Sequence, residues 1–149
     1  MRPRRKFLFP LDTVLKVRRL REDQARQDLA RAQHQLARSR GALEETRKHF
    51  TLTLEKLRHT PQEGWDAHDY QLLCRFLEHL KLAVDGWRDQ VRQDEALVTE
   101  KTLILQRLHQ ERRLLERLKE RKYLQYRREV AKFLAAESEA LVLARWNHS

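Results

Sequence analysis

Leu15, Glu22, Leu29, Leu36, Leu43, Phe50 and Leu57 stand seven residues apart, and all but Glu22 are large and apolar. A seven-residue period held over that span marks an α-helix packed along its length on another helix, knobs entering holes. The companion positions are Leu11, Arg18, Ala25, Ala32, Ser39, Thr46 and Thr53, small from Ala25 onward. Small side chains at alternate contacts let two helix backbones approach closely. The rest of the chain is read against this stretch as one arm of a coiled-coil hairpin.

Composition agrees. Three Gly and three Pro in 149 residues leave few places to turn, and Leu, Arg, Glu, Gln, Ala and Lys favour long helices. With 36% charged residues and a mean hydropathy of −0.84, a thick globular core is excluded. Disorder is excluded too, because the apolar residues fall in register instead of being scattered. A single cysteine, Cys74, rules out an internal disulfide and fits a reducing compartment. No apolar run reaches the ~20 residues needed to span a bilayer. Pro10 and Asp12, then Arg18 and Arg19, interrupt the apolar stretch after the basic start, which argues against a signal peptide.

The predicted order is a basic arm over 1–10, a first helix over about 12–59, a turn over about 60–66 and a second helix over about 67–146. Asp12 reads as the first helix's N-cap. Gly41 costs that helix only ~1 kcal/mol and does not stop it. Thr60-Pro61-Gln62-Glu63-Gly64 is the turn, and the second helix starts at Pro61, Asp66 or Asp69. Its seam runs Tyr70, Leu73, Leu77, Leu80, Val84, Trp87, Val91, Val98, Leu105, Leu108 and Leu115, with polar Asp94, Lys101 and Arg112 on the same line. After Leu115 the register slips by four residues, a stutter, and apolar residues resume at Tyr123, Tyr126, Val130 and Phe133.

At ~1.5 Å per residue the first helix is about 70 Å and the second about 120 Å, so an antiparallel pair leaves ~45 Å of the second projecting beyond residue 115. The fold class expected is therefore all-α, a long antiparallel two-helix hairpin with a C-terminal overhang. That overhang keeps Tyr123, Tyr126, Val130, Phe133, Leu134, Leu141, Leu143 and Trp146, a set that calls for shelter in another protein. The formal charge of +10 is also uneven: residues 1–26 and 107–132 carry +6 each, and both belong to the open end.

Catalytic chemistry finds no residue set. There is no Gly-rich phosphate loop, CxxC pair or nucleophile elbow. The seven histidines share no i,i+3 or i,i+4 spacing, so no helical metal pair exists, and they read as surface residues. Glu44/Glu45 and Asp94/Glu95 are adjacent and point to different helical faces. The chain is expected to be a non-enzyme without cofactor, metal or small-molecule substrate. Arg112, Arg113, Arg117, Lys119, Arg121, Lys122, Arg127 and Arg128 form a basic helix with Tyr123 and Tyr126 among them. Nucleic acid is nonetheless disfavoured, because Glu111, Glu116, Glu120 and Glu129 interrupt it and basic zippers need parallel helices.

The opening Phe7-x-Phe9-x-Leu11-Asp12-Thr13-Val14-Leu15-Lys16-Val17-Arg18-Arg19-Leu20-Arg21-Glu22 resembles that of the flagellar FliJ family. Leu118-Lys119-Glu120-Arg121-Lys122, Tyr126-Arg127-Arg128-Glu129 and Glu139-Ala140-x-x-x-Ala144-Arg145-Trp146 resemble its basic second-helix segment and its close. The resemblance implies a cytoplasmic, chaperone-type component of the flagellar type III export apparatus, similar to the gamma stalk of rotary ATPases and peripheral at the cell membrane. It implies that the terminal end enters a hexameric export ATPase of the FliI family, with Leu11, Arg18, Arg19, Tyr123, Tyr126, Arg127, Phe133, Leu141 and Trp146 as contacts. It implies a second contact, with the export gate protein FlhA, for which Leu43, Phe50, Leu73, Leu77 and Leu80 are candidates that also fit the seam or its edge, and export chaperones as further partners. The equivalent stalk of a virulence type III secretion system has the same architecture.

Overall fold

In the computed structural model, which describes residues 6–59 and 66–148, the chain is two helices and no strand among the described residues. Helix α1 is Asp12–His59 and helix α2 is Ala67–Asn147. The expected turn lies outside the described residues. Of the three starts considered for α2, the one at Asp66 fits best: its carbonyl accepts the Tyr70 amide at 3.1 Å and the helix opens at Ala67.

The helices pack in two compact units: Met1–Gln24 with Gln106–Ser149, called the terminal unit, and Ala25–Leu105, the central unit. In the central unit Leu36 and Leu43 of α1 bury against Val84 and Val91 of α2, with Val98 beside them. Each such side chain removed from water contributes about 1.5–3 kcal/mol. Ala25, Ala32, Ser39 and Thr53 are buried, as the large/small alternation requires. The hydroxyls among the small residues answer to their own helix: Ser39 Oγ donates to the Leu36 carbonyl at 3.0 Å, Thr46 Oγ1 to that of Ala42 at 2.7 Å. Polar residues thereby enter the seam without stranded donors. Across it, Arg40 Nη2 donates to Glu95 Oε1 at 3.3 Å.

Two aromatic seam residues behave otherwise. Tyr70 and Trp87 are exposed.

The terminal unit is antiparallel as well: Asp12 meets Lys119, Arg19 meets Glu116 and Glu22 meets Arg112, descending along α2 as α1 ascends. Two expectations are corrected here. The arm is packed from Phe7 onward: Phe9 and Leu15 are buried, and the Phe7 ring lies 5.3 Å from that of Tyr123 and 5.6 Å from that of Tyr126. The pairing therefore reaches Tyr126 instead of ending opposite residue 115, and the exposed end of α2 is shorter than length arithmetic gave. The arm carries its own aromatic anchors, which helix lengths leave out. Asp12, expected as N-cap, is the first helical residue, and its carboxylate accepts from Lys119 Nζ at 2.8 Å.

Candidate functional site

Every excess positive charge falls on the terminal unit. It holds 19 of the 32 Lys/Arg and 9 of the 22 Asp/Glu, whereas the central unit has 13 of each. The +10 is thus a local field, able to steer an acidic partner to this end.

The centre of the unit is Glu22, the polar member of the heptad run, only 2% exposed. Arg112, a polar seam residue of α2, answers it: Nε donates to Glu22 Oε2, and Nη2 to Oε1 at 3.3 Å. The same guanidinium donates through Nη1 to Glu116 Oε1 at 2.8 Å. His109 Nδ1 lies 3.0 Å from Glu22 Oε1 and 3.0 Å from Arg112 Nη2. A neutral ring protonated on Nε2 accepts from Arg112, and a protonated ring donates to Glu22. Arg19 and Arg113 each donate to Glu116 at 3.4 Å, and Arg18 Nη1 donates to Glu111 Oε2 at 2.7 Å.

This network shifts its members as charge pairing requires. The Arg112 hydrogen bond, helped by Arg19, holds the Glu116 carboxyl below the ordinary 4.5. The hydrogen bond from Lys119 holds Asp12 below the ordinary 3.8. Hydrogen bonds to Glu22 and then Glu116 raise Arg112 further above its already high value. A buried pair of this kind fixes register, because sliding α2 by one heptad carries Arg112 away from Glu22.

Beside the network a cleft of about 450 Å³ is lined by Phe7, Arg19, Glu116, Lys119, Glu120 and Tyr123. Further along α2, all described residues from 127 to 148 are exposed apart from half-buried Val130 and Phe133. Leu134, Leu141, Val142, Leu143 and Trp146 are 57–77% exposed. Ala131, Ala135, Ala136, Ala140 and Ala144 suit a helix that must hold with little packing.

The terminal candidates divide accordingly. Leu11, Arg127, Leu141 and Trp146 are exposed and Phe133 is half-buried. Tyr123 and Tyr126 hold the arm through Phe7, and Arg18 and Arg19 are engaged by Glu111 and Glu116. Of the central candidates, Leu43 and Leu80 are buried. Phe50, Leu73 and Leu77 are half-buried. The same stretch of α2 also exposes Leu72 and Phe76, at 50% each, which the seam pattern did not single out. Their signal was their place off the seven-residue seam.

Among the described residues no cluster of His, Cys, Asp and Glu could hold a metal, and no helix is long and apolar enough to cross a membrane. The described residues thus define an all-α two-helix hairpin with a basic terminal unit and large apolar side chains exposed near the end of its longer helix. The profile of the flagellar FliJ protein matches residues 7–133, from the first packed aromatic of the arm to Phe133. The chain belongs to the FliJ family, components of the flagellar type III export apparatus. No curated protein and no solved structure matches it.

Proposed function

We propose that this chain is the non-enzymatic stalk of a flagellar export apparatus, its terminal unit inserted into the pore of a hexameric FliI-like ATPase and its central unit contacting an FlhA-like gate. The observation that carries this reading is the exposed apolar run Leu134, Leu141, Val142, Leu143 and Trp146 on the unit that bears all the net charge. Large apolar side chains left exposed on a helix mark a docking surface, and the positive charge carried elsewhere on the same unit, over 1–24 and 107–132, steers encounter with an acidic partner. The chain transmits or couples; the ring performs ATP hydrolysis. Leu11, Arg127, Phe133, Leu141 and Trp146 carry the ring contact, while Arg18 and Arg19 hold the unit together. For the gate contact, exposed Leu72 and Phe76 are better suited than buried Leu43 and Leu80, with Phe50, Leu73 and Leu77 at the edge. Export chaperones are further partners, and the chain works in the cytoplasm, peripheral to the membrane through the gate.

The test is ATPase stimulation by the combined variant Phe133→Ala, Leu141→Ala and Trp146→Ala. All three sites are exposed or half-buried, so the hairpin stays folded by circular dichroism. Stimulation is expected to be lost; a variant that stimulates as well as the natural chain would refute the reading.

A further inference from the structure

Away from the terminal unit, one concavity in the central unit has a defined chemistry. A groove of about 320 Å³ lies between α1 and α2, lined by Arg47, Phe50 and Thr51 from one helix and Lys81, Val84, Asp85 and Arg88 from the other. The spacings i, i+3, i+4 and i, i+3, i+4, i+7 put each set on one helical face. Buried Val84 and half-buried Phe50 supply apolar surface. Three cations and one carboxylate line it, a local excess of positive charge in a unit that carries no net charge as a whole. Asp85 is loosely paired with Arg88 at 3.8 Å, and among the described residues neither Arg47 nor Lys81 has an ion-pair partner.

We infer that this groove is a docking site for an acidic peptide segment with an aromatic or aliphatic anchor, the anchor seated on Phe50 and Val84 and its flanking carboxylates held by Arg47, Lys81 and Arg88. The size is at the lower end for a binding pocket, enough for one large side chain and its neighbours. Charge selects the occupant. A net local charge of +2 around apolar surface favours carboxylates placed on either side of an apolar residue. A nucleic-acid strand is a poorer fit, because Asp85 lines the groove beside Arg88 and would repel phosphates. The site overlaps the gate-contact reading at Phe50 but does not depend on it or on the terminal unit.

The experiment uses the full chain and a fluorescein-labelled octapeptide with one phenylalanine flanked by acidic residues, read by fluorescence anisotropy. Binding is expected to weaken about tenfold in Arg47→Glu/Arg88→Glu and about tenfold when the peptide's phenylalanine becomes glycine. It is expected to fall as salt rises from about 0.05 to about 0.3 M. Arg47 and Arg88 are exposed, so the double variant keeps its helical signal and still stimulates the ATPase, which separates this site from the terminal one. No binding by the acidic peptide, equal binding by a peptide with lysines in place of its acidic residues, an unchanged affinity in the double variant, or a single-stranded oligonucleotide competing as strongly as the peptide would each overturn the proposal.

Discussion

Removing Arg112 tests the organisation of the terminal unit, because the two halves of its central ion pair are unequally buried. The Glu22 side chain keeps 2% of its exposure and that of Arg112 keeps 17%. Deleting one partner of a buried pair costs about 3–5 kcal/mol when the remaining charge stays out of water. Arg112→Leu strands the more buried group, so we expect about 3 kcal/mol, the low end of that range because His109 still faces the carboxylate. Glu22→Leu leaves a guanidinium that reaches solvent and still donates to Glu116 at 2.8 Å, and we expect about 1 kcal/mol. The double variant joins two apolar seam residues and should lie within about 1 kcal/mol of the natural chain. At about 2–4 °C per kcal/mol for a chain of this size, Arg112→Leu alone lowers the midpoint by roughly 6–12 °C. Thermal melts followed at 222 nm, with urea titration of the same four proteins, measure this. The reasoning fails if Glu22→Leu costs more than Arg112→Leu, or if the double variant loses the sum of the two.

Three other outcomes follow from particular contacts. Glu116 and Asp12 titrate below their ordinary values of 4.5 and 3.8, so their stabilisation is complete above those values and is lost as pH falls through the lower folded ones. Melting temperature should hold from neutral pH down to about 5 and drop below it, and Arg112→Leu should flatten that acid limb. Asp94 is 5% exposed; its Oδ1 accepts from Gln90 at 3.0 Å while Oδ2 has no hydrogen-bond partner. Asp94→Val, on the seam between Val91 and Val98, should therefore raise stability by about 1–2 kcal/mol in urea titration. Gly86 is mid-helix with nothing within 4 Å of an added Cβ, so Gly86→Ala should stabilise by about 0.5–1 kcal/mol in the same assay.

The seven-residue run specifies the hairpin, because Leu15, Leu36 and Leu43 can be buried along one stripe only by a partner helix. Glu22 was visible as its exception and Arg112 as a polar residue on the facing seam. What joined them was register, which depends on where the chain turns, and a repeat does not carry that information. The arm was less legible: Phe7 and Phe9 precede the first helix and follow no period, so the packing of Phe7 on Tyr123 and Tyr126 and the burial of Phe9 left no pattern. The candidate site was legible at the exposed end, where Leu141 and Trp146 lie beyond the reach of α1. It was obscured in the central unit, where Leu43 and Leu80 satisfy the seam and the groove between Arg47 and Arg88 exists only once two faces meet.

The central claim is that the exposed end of α2 is sheltered inside a partner's ring. A photo-crosslinking side chain placed at Leu141, in the chain purified with its hexameric export ATPase, tests it directly. The account predicts crosslinks to residues lining the ring's central pore, lost when Phe133 and Trp146 are replaced by alanine. Crosslinks confined to the outside of the ring, or none with the ring assembled and bound, would contradict it.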